Sequence, residues 1–385
     1  MVAIFSGSGL GYQRGSASVL GSAGSLGEAA QGRGGDNVMV NAATGNLIVS
    51  RKDEFLVGRG PDATYAQTYN SQGDPTNSWN ASVYHVLTDI PATANVAGST
   101  ITRGDGDGHS SVYTYDVAKG AYVGTEGGGA HDELRYANGA WTWTDGDSRT
   151  RETYAALTGV AGQQFLASVV DADGNTQSYS WNPNGTLQKI TNANGEYVQF
   201  TLGANGLPTQ VTTYSSAGAA LLTRTRYAWD ASRRLTSVTV DLTPGDHSVA
   251  DGKSYTTTYT YDGTSSRIAS ISQTDGSKLD IAYVLVGADY RVATLTQTVA
   301  TGSTRTTSFS YDTVNRITAV TDGNGQVTSL YHDAARQLTR ITAPPAYSGA
   351  PANSVQFGYN ASGDLVSVTD GNNAAATYSY DSSGN

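Results

Sequence analysis

The chain has 385 residues and a formal net charge of −10, and only 15% of its residues are charged. Its basic residues are scattered, which excludes a nucleic-acid-binding patch, and its lack of cysteine excludes disulfides and thiolate metal sites. Its 46 glycines and 24 tyrosines, with no long apolar stripe of helical period, predict β-strands joined by tight turns. No apolar run reaches the roughly 18 residues that a membrane span needs, so none is predicted.

The N-terminal half begins with a stretch of unusual composition. Residues 1–35 are rich in Gly, Ser and Ala and are interpreted as a leader, and residues 36–165 are predicted to form an N-terminal β region. At the start of that region, apolar and polar residues alternate around Thr44-Gly45-Asn46, which predicts a hairpin followed by a strand that ends at Tyr69. Short strand-like runs and Gly-rich turns follow, including the runs 111–115 and 140–144 and the turn 127–129.

From residue 166 to residue 385 one short motif recurs. It consists of two aromatic residues separated by one residue, an Asp or Asn, a tight turn, and two aliphatic residues three positions apart. The clearest copies are 21 residues apart, as Asp312 and Asp333 are, and a fixed short period is typical of a repeat architecture. The aromatic and acidic positions are Tyr179, Trp181, Tyr227, Trp229, Asp230, Tyr259, Tyr261, Asp262, Phe309, Tyr311, Asp312, Tyr331, Asp333, Phe357, Tyr359, Tyr378, Tyr380 and Asp381.

Each part of the motif has a physical interpretation. Aromatic residues at positions i and i+2 share one face of a strand, so successive hairpins can stack them in columns. The Asp or Asn can hydrogen-bond the backbone of the turn, and the Gly or Asn that follows it three residues later can adopt a positive φ. The aliphatic pair, such as Leu187 and Ile190, has the wrong spacing for one flat face, so either a bulge intervenes or both faces are covered.

A single hairpin buries too little apolar surface to offset the ordering of its residues. We therefore predict an all-β fold, an extended antiparallel ribbon of hairpins that curls into a shell or solenoid-like structure, each copy supported by the next.

The motif resembles the RHS or YD repeat of bacterial proteins, on copies such as YSWNPNGTLQKITNANG, FSYDTVNRITAVTDGNG and FGYNASGDLVSVTDGNN. The stretch VNAATGNLIVSRKDEFLVGRGPDATYAQTYNSQG is similar to the segment that opens many RHS repeat regions. The resemblance implies a β ribbon that spirals into a hollow shell, which encloses a C-terminal toxin in some members and serves at the cell surface in others. Members that release a toxin carry Asp-Pro-x-Gly elements, whereas Asp74-Pro75 is followed here by Thr-Asn, so no self-cleavage is assigned.

The expected function is therefore structural and not enzymatic: a secreted or surface-exposed bacterial scaffold whose wall encloses or presents a downstream effector (toxin) region of the same polypeptide. The last copy stops before its aliphatic residue, at Asn385, so a longer protein is expected. The alternative is an adhesion or filament-forming protein that binds neighbouring copies of itself or a glycan. A polysaccharide-acting enzyme is a third interpretation.

Acidic turns raise the question of a bound cation. Asp171, Asp173 and Asn175 have the alternate spacing of calcium (Ca2+) ligands, and Asp105 and Asp107 share it. Neither stretch has the complete ligand set of a helix-flanked calcium loop, and both are also typical of turns between strands. A turn is the preferred interpretation, and no cofactor is otherwise predicted.

Other polar and aromatic residues have structural interpretations beside functional ones. The five histidines, at positions 85, 109, 131, 247 and 332, lack metal-ligand spacing and are predicted to be surface or hydrogen-bonded positions. The tryptophans, at positions 79, 141, 143, 181 and 229, are predicted to pack in the interior rather than to form a carbohydrate platform. The arginines near the turns, at positions 233, 234, 267, 316 and 336, are predicted cross-strand partners of turn carboxylates, with an anionic ligand as the alternative.

Overall fold

The computed structural model describes residues 3–12, 30–124, 131–216, 220–300, 302–345, 347 and 353–381. Most of the predicted leader and the predicted turn 127–129 lie outside these residues. Two compact units are present, one formed by Met1–Ser50, Tyr69–Ser78 and Tyr259–Asp381, and the other mainly by Arg51–Thr68 and Trp79–Thr258. These units interleave along the chain, whereas the regions distinguished from sequence are consecutive.

The prediction of an all-β fold is confirmed, since a 3-10 turn at Pro244–Asp246 is the one helical element among the described residues. The strands are β1 Ala3–Phe5, β2 Ala30–Gln31, β3 Asp36–Asn41, β4 Leu47–Leu56, β5 Ala63–Asn70, β6 Trp79–Ala81, β7 Val86–Thr88, β8 Thr100–Gly104, β9 Ser110–Asp116, β10 Ala121–Gly124, β11 Glu133–Ala137, β12 Ala140–Thr144, β13 Arg151–Leu157, β14 Val160–Val170, β15 Thr176–Trp181, β16 Leu187–Thr191, β17 Tyr197–Leu202, β18 Pro208–Tyr214, β19 Leu221–Trp229, β20 Leu235–Asp241, β21 Ser254–Tyr261, β22 Ile268–Gln273, β23 Lys278–Val286, β24 Asp289–Ala300, β25 Ser303–Asp312, β26 Ile317–Thr321, β27 Val327–His332, β28 Leu338–Ala343, β29 Asn353–Tyr359, β30 Leu365–Thr369 and β31 Ala375–Thr377.

The first unit contains two groups of strands. At the N-terminus, β1 pairs with β3 in parallel and β2 pairs with β3 in antiparallel, so the predicted leader contributes the strand Ala3–Phe5, of which Ile4 and Phe5 are buried. The strands from β22 to β31 form an antiparallel ribbon in which each strand pairs with the next along the chain. Antiparallel neighbours need only tight turns between them, which the Gly-rich and Asp-rich sequence supplies.

The second unit contains a closed ring of strands. Each strand from β7 to β14 pairs with the next, and β14 also pairs with β7 through Gln164 and Phe165, which closes the ring at eight strands. The ring encloses an apolar cluster of Leu87, Ile101, Tyr113, Tyr122, Leu134, Trp141, Trp143, Tyr154 and Leu166. From β14 to β21 the same unit continues as an antiparallel ribbon. Closure leaves no free edge within the ring.

The spacing of the aliphatic pair is explained by a β-bulge. In the hairpin β15–β16, Ser180 lies opposite Lys189 and Trp181 lies opposite Leu187, so Gln188 is the extra residue. Corresponding register shifts occur in β19–β20, β27–β28 and β29–β30. The bulge returns both aliphatic residues to the buried face, because one extra residue converts a spacing of three into a spacing of two. Leu187 and Ile190 are accordingly 2% and 0% exposed.

The hairpin β25–β26 lacks this bulge. Here Asp312 lies directly opposite Ile317 at the end of a longer turn, and the pairing continues without a shift to Ser308 and Thr321. Ile317 is therefore only half-buried, while Thr318 is buried beside Val320.

Candidate functional site

The turn carboxylates and amides have the structural role that the sequence predicts. Asp230 Oδ1 accepts hydrogen bonds from the backbone N–H groups of Ser232 and Arg234, at 2.9 and 3.0 Å. Asn360 does the same for Ser362 and Asp364, both at 2.9 Å. In several turns the residue three positions after the acid or amide adopts a positive φ, as Gly363 does, whereas in the turn of Asp312 it is the fourth residue, Arg316. In two turns the residue three positions after is an arginine, Arg233 or Arg336.

Two of the arginines near the turns pair with a turn carboxylate, as predicted, but with that of their own turn. Arg234 Nε lies 2.7 Å from Asp230 Oδ2, and Arg267 Nη2 lies 2.6 Å from Asp262 Oδ2, so each pairs with the carboxylate of its own turn. Such partly exposed pairs contribute little to stability.

In most copies of the motif the second aromatic residue joins one hairpin to the preceding one. Its ring N–H or hydroxyl donates a hydrogen bond to a backbone carbonyl of the strand before it, which we call the lock contact. The donors and acceptors are Trp181 and Leu166, Trp229 and Pro208, Tyr283 and Ile268, Tyr311 and Val292, Tyr359 and Leu338, and Tyr380 and Leu365, at 2.7 to 3.0 Å. Tyr283 lies outside the motif copies recognised in the sequence. The lock contact links neighbouring copies of the repeat by polar as well as apolar contacts.

The first aromatic residue of the motif faces the interior. Tyr227, Tyr259, Phe309 and Phe357 are each buried, at 2% to 6% exposure. In the first unit the Tyr259 hydroxyl donates to Asp36 Oδ1 at 2.6 Å, and in the second unit the Tyr227 hydroxyl donates to Asp53 Oδ2 at 2.9 Å. Tyr179 instead reaches Gln177 on its own strand, at 2.6 Å.

The aromatic residues of the last motif copy are exposed. Tyr378 and Tyr380 are 47% and 38% exposed, and Asp381 is exposed as well. Tyr261 is half-buried.

One copy of the motif departs from the pattern. The residue before Asp333 is His332, so a histidine occupies the position of the lock aromatic, and its Nδ1 lies 3.3 Å from the carbonyl oxygen of Arg316. Tyr331, a predicted motif residue, lies next to it on the strand and therefore faces the opposite side. There the Arg340 guanidinium lies 3.7 Å from the centre of its ring.

The tryptophans are packing residues, as predicted. Trp79, Trp141 and Trp143 are 3% to 7% exposed, and Trp181 and Trp229 are half-buried in lock contacts. None of the five is exposed, so the carbohydrate platform is not supported by their placement.

In the turn predicted as a possible calcium site, both carboxylate oxygens of Asp171 already accept hydrogen bonds from the protein. Asp171 Oδ1 accepts hydrogen bonds from the backbone of Asp173 and Asn175, and its Oδ2 accepts one from Asn175 Nδ2. Across the residues that the structure describes, no three His, Asp or Glu side chains are grouped to hold a metal ion. Calcium at this turn stays a prediction.

A charged cluster inside the eight-stranded ring was not anticipated from the sequence. Arg103 Nη2 lies 2.8 Å from Glu152 Oε2, and Arg103 also bonds Asp105, while the His85 ring nitrogen Nδ1 lies 2.7 Å from Glu152 Oε1. Tyr154 donates a hydrogen bond to Glu152. Strand alternation provides the signal that could have found it, because Arg103 shares a face with the buried Ile101 and Glu152 with the buried Tyr154.

The cluster is electrostatically satisfied. Burial raises the pKa of Glu152, but Arg103 and His85 outweigh that effect and hold the pKa of Glu152 far below its ordinary value. The guanidinium of Arg103 also lies 4.0 Å from the centre of the Trp143 ring. Arg103 and Glu152 each therefore have a buried partner of opposite charge.

Glu54, in the second unit, is also buried, but the effect of burial on its pKa is not outweighed in the way that it is for Glu152. It is 2% exposed, it accepts a hydrogen bond from the Thr223 hydroxyl, and its Oε1 has no hydrogen-bond partner among the described residues. Burial raises the pKa of Glu54 to about 7, because the hydrogen bond from Thr223 only partly offsets the loss of solvation.

These features, a motif copied along an antiparallel ribbon with locks between copies, agree with the family comparison. A model of the RHS repeat matches residues 311–344 and 359–385. The chain contains RHS repeats. The match covers the last copies of the motif, including Asp312, Asp333 and Tyr359.

Solved structures similar to this chain have low sequence identity to it. A TcdB2-TccC3 complex without its hypervariable C-terminal region is 12% identical, with a TM-score of 0.39, and the match covers 88% of this chain and 24% of that chain. The Tc holotoxin pore of Photorhabdus luminescens is 11% identical, with a TM-score of 0.33, and coverages of 89% and 19%. This chain therefore spans about a quarter or less of the length of those proteins. No curated protein matches the chain significantly.

Among the described residues, the structure has no helix with the length and apolar character that crossing a membrane requires.

Proposed function

We propose that this chain is a segment of the β wall of a secreted or surface-exposed RHS protein, and that the wall encloses or presents an effector region located downstream in the same polypeptide. The observation that carries the proposal is the lock contact, which recurs six times among the described residues and in each case joins a hairpin to the one before it. A wall of this kind needs no catalytic residue.

The polar contacts suit a wall better than a binding site. The motif carboxylates hold their own turns, the first aromatic residues are buried, and the second aromatic residues direct their polar atoms to the preceding hairpin. Repetition of these contacts distributes stability along the ribbon, as expected of repeat proteins.

The test uses the natural gene product, with whatever follows residue 385 in place. We expect limited proteolysis to leave the downstream region intact in the folded protein, and the region to be cut within minutes once it is expressed by itself. Equal rates of cleavage in the two settings would contradict enclosure. End-to-end filaments in electron micrographs, with a freely accessible downstream region, would favour the fibre interpretation.

Lock variants connect this test to the structure. Tyr359→Phe removes the hydroxyl that bonds the Leu338 carbonyl at 2.8 Å, and Tyr378→Phe removes an exposed hydroxyl as the matched control. We expect Tyr359→Phe to lower the free energy of unfolding by about 1 kcal/mol and to increase the rate of downstream cleavage. The control should leave both quantities unchanged.

A further inference from the structure

A cavity of about 210 Å3 lies in the first unit, at the copy of the motif where a histidine replaces the lock aromatic. Its wall includes Arg291, Tyr311, Arg316, His332 and Arg336. An imidazole fills less volume than the phenol or indole ring found at the other lock positions. The cavity is too small for an oligosaccharide and suits a compact ion or molecule.

The charge of the cavity wall is positive. None of Arg291, Arg316 and Arg336 forms an ion pair with any residue that the structure describes. Arg291 Nη1 lies 3.4 Å from the Ala43 carbonyl and Arg336 Nη1 lies 3.2 Å from the Ser8 carbonyl, so both bond only neutral acceptors. Guanidinium groups without carboxylate partners are typical of sites that bind phosphate or carboxylate.

The carboxylates in the same wall serve their turns instead. Asp312 accepts hydrogen bonds from the backbone of Val314 and Asn315 and from the Asn315 side chain. Asp333 accepts one from the backbone of Gln337. With three guanidiniums and two carboxylates, the wall keeps a net positive charge, which excludes a metal cation as the favoured occupant.

His332 requires a hydrogen-bond donor in the cavity, which an anion without a hydroxyl does not supply. The residue is 8% exposed, and its Nε2 is buried with no hydrogen-bond partner among the residues described. Burial lowers the pKa of His332 to about 4, so the ring is neutral at pH 7. Because the Arg316 carbonyl can only accept, Nδ1 carries the proton, and Nε2 is an acceptor that needs a donor.

We propose that this cavity binds a compact oxyanion that carries its own hydroxyl, of the hydrogen phosphate class. The guanidiniums of Arg291, Arg316 and Arg336 would contact the anionic oxygens, and the hydroxyl would donate to His332 Nε2. Sulfate has the same size and shape but no hydroxyl at neutral pH, so the site distinguishes the two ions by the hydrogen bond to His332.

Isothermal titration calorimetry on the whole chain at pH 7 tests the proposal. We expect inorganic phosphate to bind at least tenfold more tightly than sulfate. Glycerol 2-phosphate, whose phosphate group is mostly the dianion without a hydroxyl at pH 7, should bind much more weakly than inorganic phosphate, which would indicate free phosphate as the source; comparable affinity would contradict the role of the phosphate hydroxyl. Equal affinity for phosphate and sulfate, or no binding of either, would overturn the proposal.

Two variants assign the effect to residues. His332→Phe removes the acceptor and should bring the phosphate-to-sulfate ratio of affinities towards one. Arg336→Gln should weaken both anions about tenfold, whereas Arg305→Gln, which removes an exposed arginine outside the cavity wall, should change neither. If circular dichroism shows that His332→Phe does not fold, the phosphate-to-sulfate ratio of affinities in the wild type and the affinities of Arg336→Gln still test the proposal. A ratio unchanged in a folded His332→Phe variant contradicts the role of Nε2.

Discussion

The hydroxyl of Tyr259 lies 2.6 Å from Oδ1 of Asp36, although 223 residues separate them in the chain. Both residues are nearly completely buried, at 2% and 1% exposure. Asp36 also accepts a hydrogen bond from Gln273 Nε2, at 3.2 Å. Strand β3 is thus tied to the repeats of the first unit by the carboxylate of Asp36, which accepts hydrogen bonds from Tyr259 and Gln273.

Tyr259→Phe removes one of these donors. We expect it to lower the free energy of unfolding of the first unit by about 1 to 3 kcal/mol, because the buried carboxylate loses a hydrogen bond without gaining water. Chemical denaturation followed by fluorescence measures the change. Tyr378→Phe makes the same substitution at a ring 47% exposed and should change stability by less than about 0.5 kcal/mol. Equal effects of the two substitutions would show that the Asp36 contact contributes nothing.

Glu54→Gln should stabilise the second unit at alkaline pH and not at acid pH. The folded-state pKa of Glu54 is about 7, above its ordinary value of 4.5, so the folded state binds the proton more tightly than the unfolded state. Stability due to this group is therefore full below pH 4.5 and is lost as the pH rises to 7. The loss approaches about 3 kcal/mol and is absent from the Gln variant.

The measurement is urea unfolding of wild type and Glu54→Gln at pH values from 5 to 8. Glu133→Gln, at a half-exposed residue of the ring, controls for the change in net charge. Parallel stability profiles for wild type and Glu54→Gln would contradict the raised pKa.

Glu152→Gln should destabilise the second unit, which is the opposite of the effect expected for Glu54→Gln. It leaves Arg103 buried with a weaker partner, and breaking a buried ion pair in this way costs about 3 to 5 kcal/mol. Because the pKa of Glu152 lies below its ordinary value, its stabilising effect is present above pH 4.5 and declines as the pH falls further. Thermal unfolding at pH 7 and pH 3.5 should therefore show a large difference from wild type at the first pH and a smaller one at the second.

The control for Glu152→Gln is the same substitution in an exposed Arg–Glu pair. Glu133 Oε2 lies 2.6 Å from Arg135 Nη2, with side-chain exposures of 33% and 49%. Glu133→Gln should cost less than about 1 kcal/mol. A comparable loss at both sites would mean that burial of the Arg103 cluster has no energetic consequence.

Gly174→Ala tests the turn interpretation of residues 171–175. Gly174 has a φ of +85°, and no described atom lies within 4 Å of the position that a Cβ would occupy, so a methyl group strains the backbone without a clash. We expect a loss of about 1 kcal/mol. Gly245→Ala, with equally open space but at a φ that L residues adopt, should be close to neutral. A calcium-dependent rise in Tm that Asp173→Ala abolishes would instead support a cation site.

The sequence predicted the features that depend on neighbouring residues. The Asp or Asn of each copy holds its own turn because its side chain and the N–H groups it bonds are two to four residues apart, as in Asp230 and Arg234. The burial of the first aromatic residue, as in Tyr259, follows from strand alternation and apolar character.

The features that join distant residues were decided only by the tertiary structure. Spacing alone left a bulge and a two-faced strand equally open for Leu187 and Ile190, and the register of the partner strand settled the choice. The contact of Tyr359 with Leu338 depends likewise on the neighbouring strand.

By itself, then, the amino-acid sequence determined the hairpin unit, its turn chemistry and its all-β character, since these arise from contacts within a few residues. The tertiary structure decided the closure of β14 on β7, the docking of Asp36 on Tyr259, and the burial of Arg103 against Glu152. Those pairings depend on strand register and on which charged side chains are buried against each other. Both are set only when distant segments of the chain pack together.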